Sequence, residues 1–244
     1  MLPKILEKNK NIINGVLHVG AHEGLEIEHY KDYNFNKIYF FEPQKNIYQK
    51  LLNNVSQYDN VECFNFALGS ENKLDYINKS KGNDGLSSSI LKPDLHLKVQ
   101  PSIKFDNKEE IEIKRYDSLK IQQVNFLTLD VQGYELEVLK GFGQELKNLK
   151  FIFTEINTKF LYKENALVKD LDNYLSDYGF IRVFTNVDCF KYYGDALYVK
   201  SSKIGLFRSL FLPLYNKLNT TNLLLHLKKL LYPKKALKNL ITKI

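Results

Sequence analysis

Short apolar runs alternate with helix-length segments through most of this chain, and that alternation restricts the fold more than any other feature. The run GVLHVG (15–20) precedes LEIEHYKDY (25–33). KIYFFE (37–42) precedes PQKNIYQKLLNNV (43–55), with Pro43 at a helix start, where its missing N–H costs nothing. VECFNFAL (61–68) reads as a third strand. After a long polar interval, FLTLD (126–130) precedes a predicted helix over 133–148, and FIFTEI (151–156) precedes one over 165–178. Strands and helices in this alternation build a mainly parallel α/β sheet covered on both faces. FIRVFTN (180–186) and DALYVK (195–200) leave no room for a helix between them, so they predict a closing hairpin and an antiparallel last strand.

Open sheets of this kind bind ligands beyond the carboxyl ends of their parallel strands. Each run ends at that edge with a small or polar residue: Gly20, Glu42, Asp130 and Glu155. The antiparallel strand starts there, which adds Asp195. The interval 78–115 has weak periodicity and many Gly, Ser and Pro residues, and is too long for an ordinary connection. It is expected to act as a substrate loop or lid.

HVGAHEG (18–24) follows the first strand and opens a helix. Gly20 and Gly24 allow a tight turn, and free N–H groups at the helix start favour a carboxylate or phosphate. Glu42 ends the second strand, about 20 residues past the glycine turn, where two carboxylate oxygens could grip a ribose diol. NAD is compatible with this much. Glu23, however, sits where a pyrophosphate would pass, which favours a ligand with one ribose and no phosphate. S-adenosylmethionine fits, with its adenosine at Glu42 and its amino-carboxylate at the glycine turn.

HVGAHEG, FFEP, LTLDVQGYELEVLKGF, FTEIN and YYGDALYVK, in this order and spacing, resemble the FkbM family of S-adenosylmethionine-dependent methyltransferases. The resemblance covers about residues 14–200, and DVQGYELEVLKG carries it most specifically. It implies the class I methyltransferase (Rossmann-like) fold, seven strands in the order 3-2-1-4-5-7-6, and methyl transfer to hydroxyl groups, often on sugars or natural products. It places Asp130 nearest the transferring methyl. The chain departs from the family at His18, where many members carry Asp, so His22 and Glu23 become candidates for the cofactor's amino end. Gly20, Ala21, Gly24, Glu42, Pro43, Ala67 and Asp130 complete the expected cofactor set.

A sugar hydroxyl is a poor nucleophile and needs a base or a metal. Asp130, Glu155 and Asp195 converge on one rim and repel one another. That raises the pKa of one of them, making it a base, or recruits a divalent cation. The base is the favoured reading. Gln132, Ser87, Ser88, Ser89 and Asn157 are expected to meet the substrate. Glu135 and Glu137 are expected only to favour the positive end of their helix. His29, His96 and His226 are expected at the surface, and Cys63 and Cys189 as reduced, core-filling thiols.

Residues 201–244 are different material. They hold thirteen leucines and nine of the 35 Lys and Arg residues, but none of the 28 Asp and Glu, so the whole net charge of +7 lies there. Leu237, Leu240, Ile241 and Ile244 recur at helical spacing among lysines. The chain therefore divides into a methyltransferase-like domain (1–200) and a basic, leucine-rich helical tail. The tail (203–244) is expected to lie on an anionic membrane surface, with packing on the domain or a second subunit as the competing reading. Its leucine richness argues against nucleic acid. No window reaches the ~18 apolar residues of a spanning helix and the start lacks a signal-peptide core, which predicts a cytoplasmic protein, peripheral at most.

The acceptor expected from these features is a sugar hydroxyl of a glycan or glycolipid precursor. Two other readings fit the residues: transfer to an RNA ribose 2′-hydroxyl or a small natural product, and a non-catalytic membrane-bound scaffold that keeps the fold.

Overall fold

A computed structural model describes residues 3–33, 35–188 and 190–203. In chain order it contains α1 (Lys4–Glu7), β1 (Gly15–Val19), α2 (Ile27–Tyr30), β2 (Lys37–Phe41), α3 (Lys45–Val55), β3 (Val61–Phe64), β4 (Ala67–Leu68) and β5 (Lys73–Lys81). There follow α4 (His96–Val99), β6 (Lys104–Lys114), β7 (Phe126–Leu129), α5 (Glu135–Phe142), β8 (Phe151–Asn157), α6 (Val168–Asp177), β9 (Phe180–Asp188) and β10 (Tyr193–Lys200). Cys189, His226 and the expected membrane helices of the tail lie outside the described residues.

Seven strands form one sheet in the order β3-β2-β1-β7-β8-β10-β9, the expected class I order once the strands of a smaller sheet are set aside. All neighbours are parallel except at β10, which runs against both β8 and β9. Every residue of β1 and of β7 is buried, as central parallel strands covered on both faces require. Alternate residues go to opposite faces. Leu17, Val19, Leu127 and Leu129 pack with Val138, Leu139 and Phe142 of α5 and Leu171 and Leu175 of α6. Val16, Phe40 and Phe126 pack on the other face with Tyr30 of α2 and Leu51 and Val55 of α3.

The register sets the site. Val19 pairs with Phe41 and with Leu129, and Leu129 pairs with Thr154. The next residue of each strand therefore falls in one row, Glu42, Gly20, Asp130, Glu155, and Asp195 pairs directly with Glu155. Strands about 4.8 Å apart place these groups close enough to interact.

Several elements differ from expectation. VECFNFAL is two strands in two sheets: β3 joins the large sheet, whereas β4 pairs with β6. The break falls at Asn65, whose amide donates to the backbone carbonyls of Glu42 and Pro43. Pro43 precedes α3 instead of opening it, and Gln44 is the N-cap. The 133–148 helix stops at Gly143, whose φ of +51° suits glycine, and continues as a 3₁₀ segment. The interval 78–115 is not all loop. Its ends belong to β5 and β6, which pair antiparallel and bury Ile77, Ile111 and Ile113 while their charged residues alternate outward. Residues 82–103 connect them and fold back, with Asn78 bridged to Ser89 and Pro93 to Tyr162. His96, expected at the surface, is buried between Phe105 and Tyr162, because the N–H groups of Asp94 and His96 both bond the Leu161 carbonyl. His29 is exposed, and Cys63 is a half-buried free thiol that burial pushes up to about 11.

Candidate active site

Beyond the carboxyl ends of β1, β2 and β7 lies an open cleft. Gly20, His22, Glu42, Pro43, Ala67, Ser88, Ser89, Asp130 and Gln132 line it, so the sheet edge, the glycine turn and the 82–90 segment meet there.

The glycine turn is built from inside. Gly20 has φ +80°, and a Cβ there would stand 1.8 Å from the Asp130 carbonyl oxygen. The N–H groups of Gly20 and Ala21 both donate to the Phe41 carbonyl, and that of Gly24 to Ala21. His22 donates its N–H to Glu42 Oε2 at 3.0 Å. The expected free N–H cradle for an anion is therefore occupied by protein, and α2 beyond it is a single turn. The wholly buried Ala21 and Gly24, packed against Leu51, shape the turn from behind the cleft. Glu23 does not line the cleft: its carboxylate pairs with Lys50 of α3 at 2.7 Å, which holds it ionised.

Glu42 is buried, and burial raises its pKa against the bonds it accepts from the Gln44 and His22 N–H groups. Beside it, Gln44 Oε1 is buried without a partner among the described residues. Together they offer acceptors to the hydroxyl and amino donors of a nucleoside. Among the described residues, three carboxylates (Glu26, Glu42, Asp130) line the cleft and no Lys or Arg does, which disfavours a phosphate-bearing ligand. The residues thus fit a phosphate-free nucleoside cofactor.

Burial lowers the His18 pKa, keeping the imidazole neutral, and its Nδ1 lies 2.8 Å from the Tyr30 hydroxyl, which also reaches Thr128. His18 and Glu26 line the cleft at the glycine turn.

The carboxylates converge as the register demands. Gln132, at a left-handed φ of +54°, donates its amide to Asp130 Oδ1 at 2.7 Å and to Glu155 Oε2 at 3.1 Å. Asp130 is open to the cleft, yet its seat on the cleft floor screens it from bulk water. That desolvation pushes its pKa up to about 6, opposed by the Gln132 bond and aided by Asp195 and Glu26. Glu155 is buried and lies well above its ordinary value, chiefly through burial and then through Asp130, Glu135 and Asp195. Desolvation raises Asp195 as well. Among the described residues, no group of three or more His, Cys, Asp and Glu is arranged to hold a metal ion.

The expected substrate contacts fare differently. The Ser87 hydroxyl accepts from Asn83, Ser88 Oγ accepts from the Ser80 N–H, and Ser89 Oγ donates to the Gln132 carbonyl. All three hydroxyls hold the 82–90 segment in shape. Gln132 commits its amide to the two carboxylates, and Asn157 is wholly enclosed, with neither amide atom partnered among the described residues. Glu137 holds Ser70 and Lys140, whereas Glu135 is not a surface helix cap. It is buried behind the carboxylate row and accepts from the Val131 and Gly133 N–H groups. Reading the sequence missed Gln44, Glu26, Tyr162 and this role of Glu135. The polar residues just after Glu42 and the glycine turn hinted at the first two. No local pattern marks Tyr162, whose hydroxyl lies 2.9 Å from both Gln132 Oε1 and the Ser87 carbonyl.

Comparison with known proteins identifies a family and a shared fold. Residues 18–182 match the family described as Methyltransferase FkbM domain. The 2-O-methyltransferase NoeI of Sinorhizobium fredii (strain NBRC 101917 / NGR234) is 24% identical over 190 residues, which cover 74% of this chain and 77% of the relative. Among solved structures, a methyltransferase FkbM from Methylobacillus flagellatus KT shares the fold with a TM-score of 0.51 at 15% identity. The match covers 77% of this chain and 43% of that one, so this chain spans less than half of that protein's length. The magnesium protoporphyrin IX methyltransferase ChlM from Synechocystis PCC 6803 gives a TM-score of 0.47 at 13% identity, over 81% and 76% of the two chains.

Proposed function

This chain belongs to the FkbM family of S-adenosylmethionine-dependent methyltransferases, and we propose that it methylates a hydroxyl of a phosphate-free sugar in a glycan or glycolipid precursor. The observation that carries the acceptor reading is the charge of the cleft: among the described residues, carboxylates line it and no Lys or Arg does. A polyanion such as RNA would be repelled by these carboxylates, whereas a neutral or cationic sugar would not. The 2-O position in the name of the Sinorhizobium relative accords with a hydroxyl acceptor.

S-adenosylmethionine, when bound, supplies an electrophilic methyl on a sulfonium. Glu42 and Gln44 would hold its nucleoside, and His18 and Glu26 can accept from its ammonium. Asp130, at the end of the central β7, orients the acceptor hydroxyl and takes its proton. Gln132 fixes the Asp130 carboxylate, and desolvation, aided by Asp195 and Glu26, keeps its affinity for a proton high. The tail supports placement at an anionic membrane surface through its composition alone. Among the described residues no helix is long and apolar enough to cross a membrane.

Two measurements test the reading. Calorimetric titration of S-adenosylmethionine should show binding that Glu42→Gln weakens about 10- to 100-fold, the worth of one or two hydrogen bonds to a charged group. Labelled methyl groups should then appear on neutral or amino-sugar oligosaccharides and not on RNA. Labelled RNA would refute the acceptor assignment.

A further inference from the structure

We propose that Asp130 and Glu155, joined by Gln132, form a single proton-holding unit that releases its proton when the cationic cofactor enters and regains one as the cofactor's charge is lost. The inference rests on the cofactor reading above and deepens it.

Both hydrogens of the Gln132 amide are directed at this pair, one to each carboxyl. Glu155 is buried, and Asp130 opens onto the cleft. The groups that face them are Asp195 and Tyr193 from β10, Glu135 from the start of α5, Tyr162 from the β8–α6 connection, and Glu26 and His22 from the glycine turn. Among the described residues, neither carboxylate has an ion pair with Lys or Arg. Two carboxyls in this setting, with carboxylates around them and no Lys or Arg paired to either among the described residues, resist ionising together. They titrate as one unit that retains a proton. The burial of Glu155 and its repulsion by Asp130 act in that direction.

A sulfonium above Asp130 would be the missing cation. An opposite charge at ~4–6 Å favours the ionised form and lowers a carboxyl pKa by about 1–3 units, which drives the unit toward losing its proton. A thioether in the same place has no such effect. Methyl transfer to a hydroxyl breaks the O–H bond, forms O–CH₃ and leaves the S–CH₃ electron pair on sulfur. One positive charge and one proton must therefore be accounted for together. The unit emptied by the sulfonium is free to take the hydroxyl proton, and once the sulfur is neutral it can keep it.

The test needs no acceptor. The full chain is titrated with S-adenosylmethionine and separately with S-adenosylhomocysteine at pH 7, in phosphate and in Tris, whose ionisation enthalpies differ. The two ligands share their amino and carboxylate groups, so the difference in proton count isolates the sulfonium. Binding of S-adenosylmethionine should release about half to one proton more than binding of S-adenosylhomocysteine. Asp130→Asn and Glu155→Gln should each remove most of that difference. Equal proton counts in the wild type would overturn the inference, as would a difference that survives in both variants. Failure of the folded protein to bind either ligand would instead overturn the cofactor reading.

Discussion

Glu135→Gln should stabilise this protein, and only at high pH. Glu135 is the first residue of α5, is 1% exposed, and accepts the Val131 and Gly133 N–H groups at 3.2 and 3.1 Å. Burial, seconded by Asp130, pushes its pKa from 4.5 to about 7 despite those bonds. Unfolded, the group loses its proton near 4.5. Between that value and about 7 the native chain holds the extra proton, so stability falls as pH rises through the window. At ~1.4 kcal/mol per pKa unit, the native state above pH 7 is about 3 kcal/mol less stable than below pH 4.5 on account of this residue. Glutamine keeps an oxygen for the two N–H groups and removes the ionisation, but its added NH₂ costs about 1 kcal/mol if unpaired. Urea unfolding at pH 5 and pH 8.5 measures the balance. The variant should match or fall slightly below the wild type at pH 5 and exceed it by about 2 kcal/mol at pH 8.5. A difference between the two proteins that is the same at both pH values would refute the reasoning.

Gly20→Ala forces a Cβ to 1.8 Å from the Asp130 carbonyl at a positive φ. It should destabilise the fold by more than ~3 kcal/mol and abolish cofactor binding; an unchanged melting temperature would contradict this. Arg182, buried, grips Asp172 with two nitrogens at 2.8 and 2.9 Å, and Asp172 also receives the Tyr198 hydroxyl. Arg182→Lys loses the fork and should cost about 2–4 kcal/mol in denaturant unfolding, whereas an exposed pair would cost under ~1. The full chain should sediment with anionic vesicles and be released by salt, while a chain ending at Lys203 should remain in solution. Equal partitioning of the two would remove the membrane role of the tail.

The strand ends were legible because each apolar run stops at a polar or small residue, and a shared register turns those stops into one row. That is why Glu42, Asp130, Glu155 and Asp195 emerge together from the sequence. The split of VECFNFAL was not legible. Its apolar pattern is continuous, and the Asn65 bonds that break it reach back to Glu42 and Pro43, more than 20 residues away. Glu135 and His96 look like surface residues because nothing nearby in the chain announces burial. The segments 82–103 and 158–166 fold back over this part of the molecule, so long-range packing decides. Ser87, Ser88 and Ser89 were legible as neighbours of the cleft. Their consumption by Asn83, Ser80 and Gln132 depends on partners no spacing rule reveals.

Tyr162 has one hydroxyl proton and two carbonyl-type oxygens at equal reach, Ser87 O on the cleft's 82–90 cover and Gln132 Oε1 beneath it. The two contacts share the strength of a single bond. When Gln132 holds the proton firmly, the cover is fastened less tightly, and the reverse is also true. The cover is therefore easier to lift than its contacts suggest, and the tension on it changes with the orientation of one amide at the cleft floor.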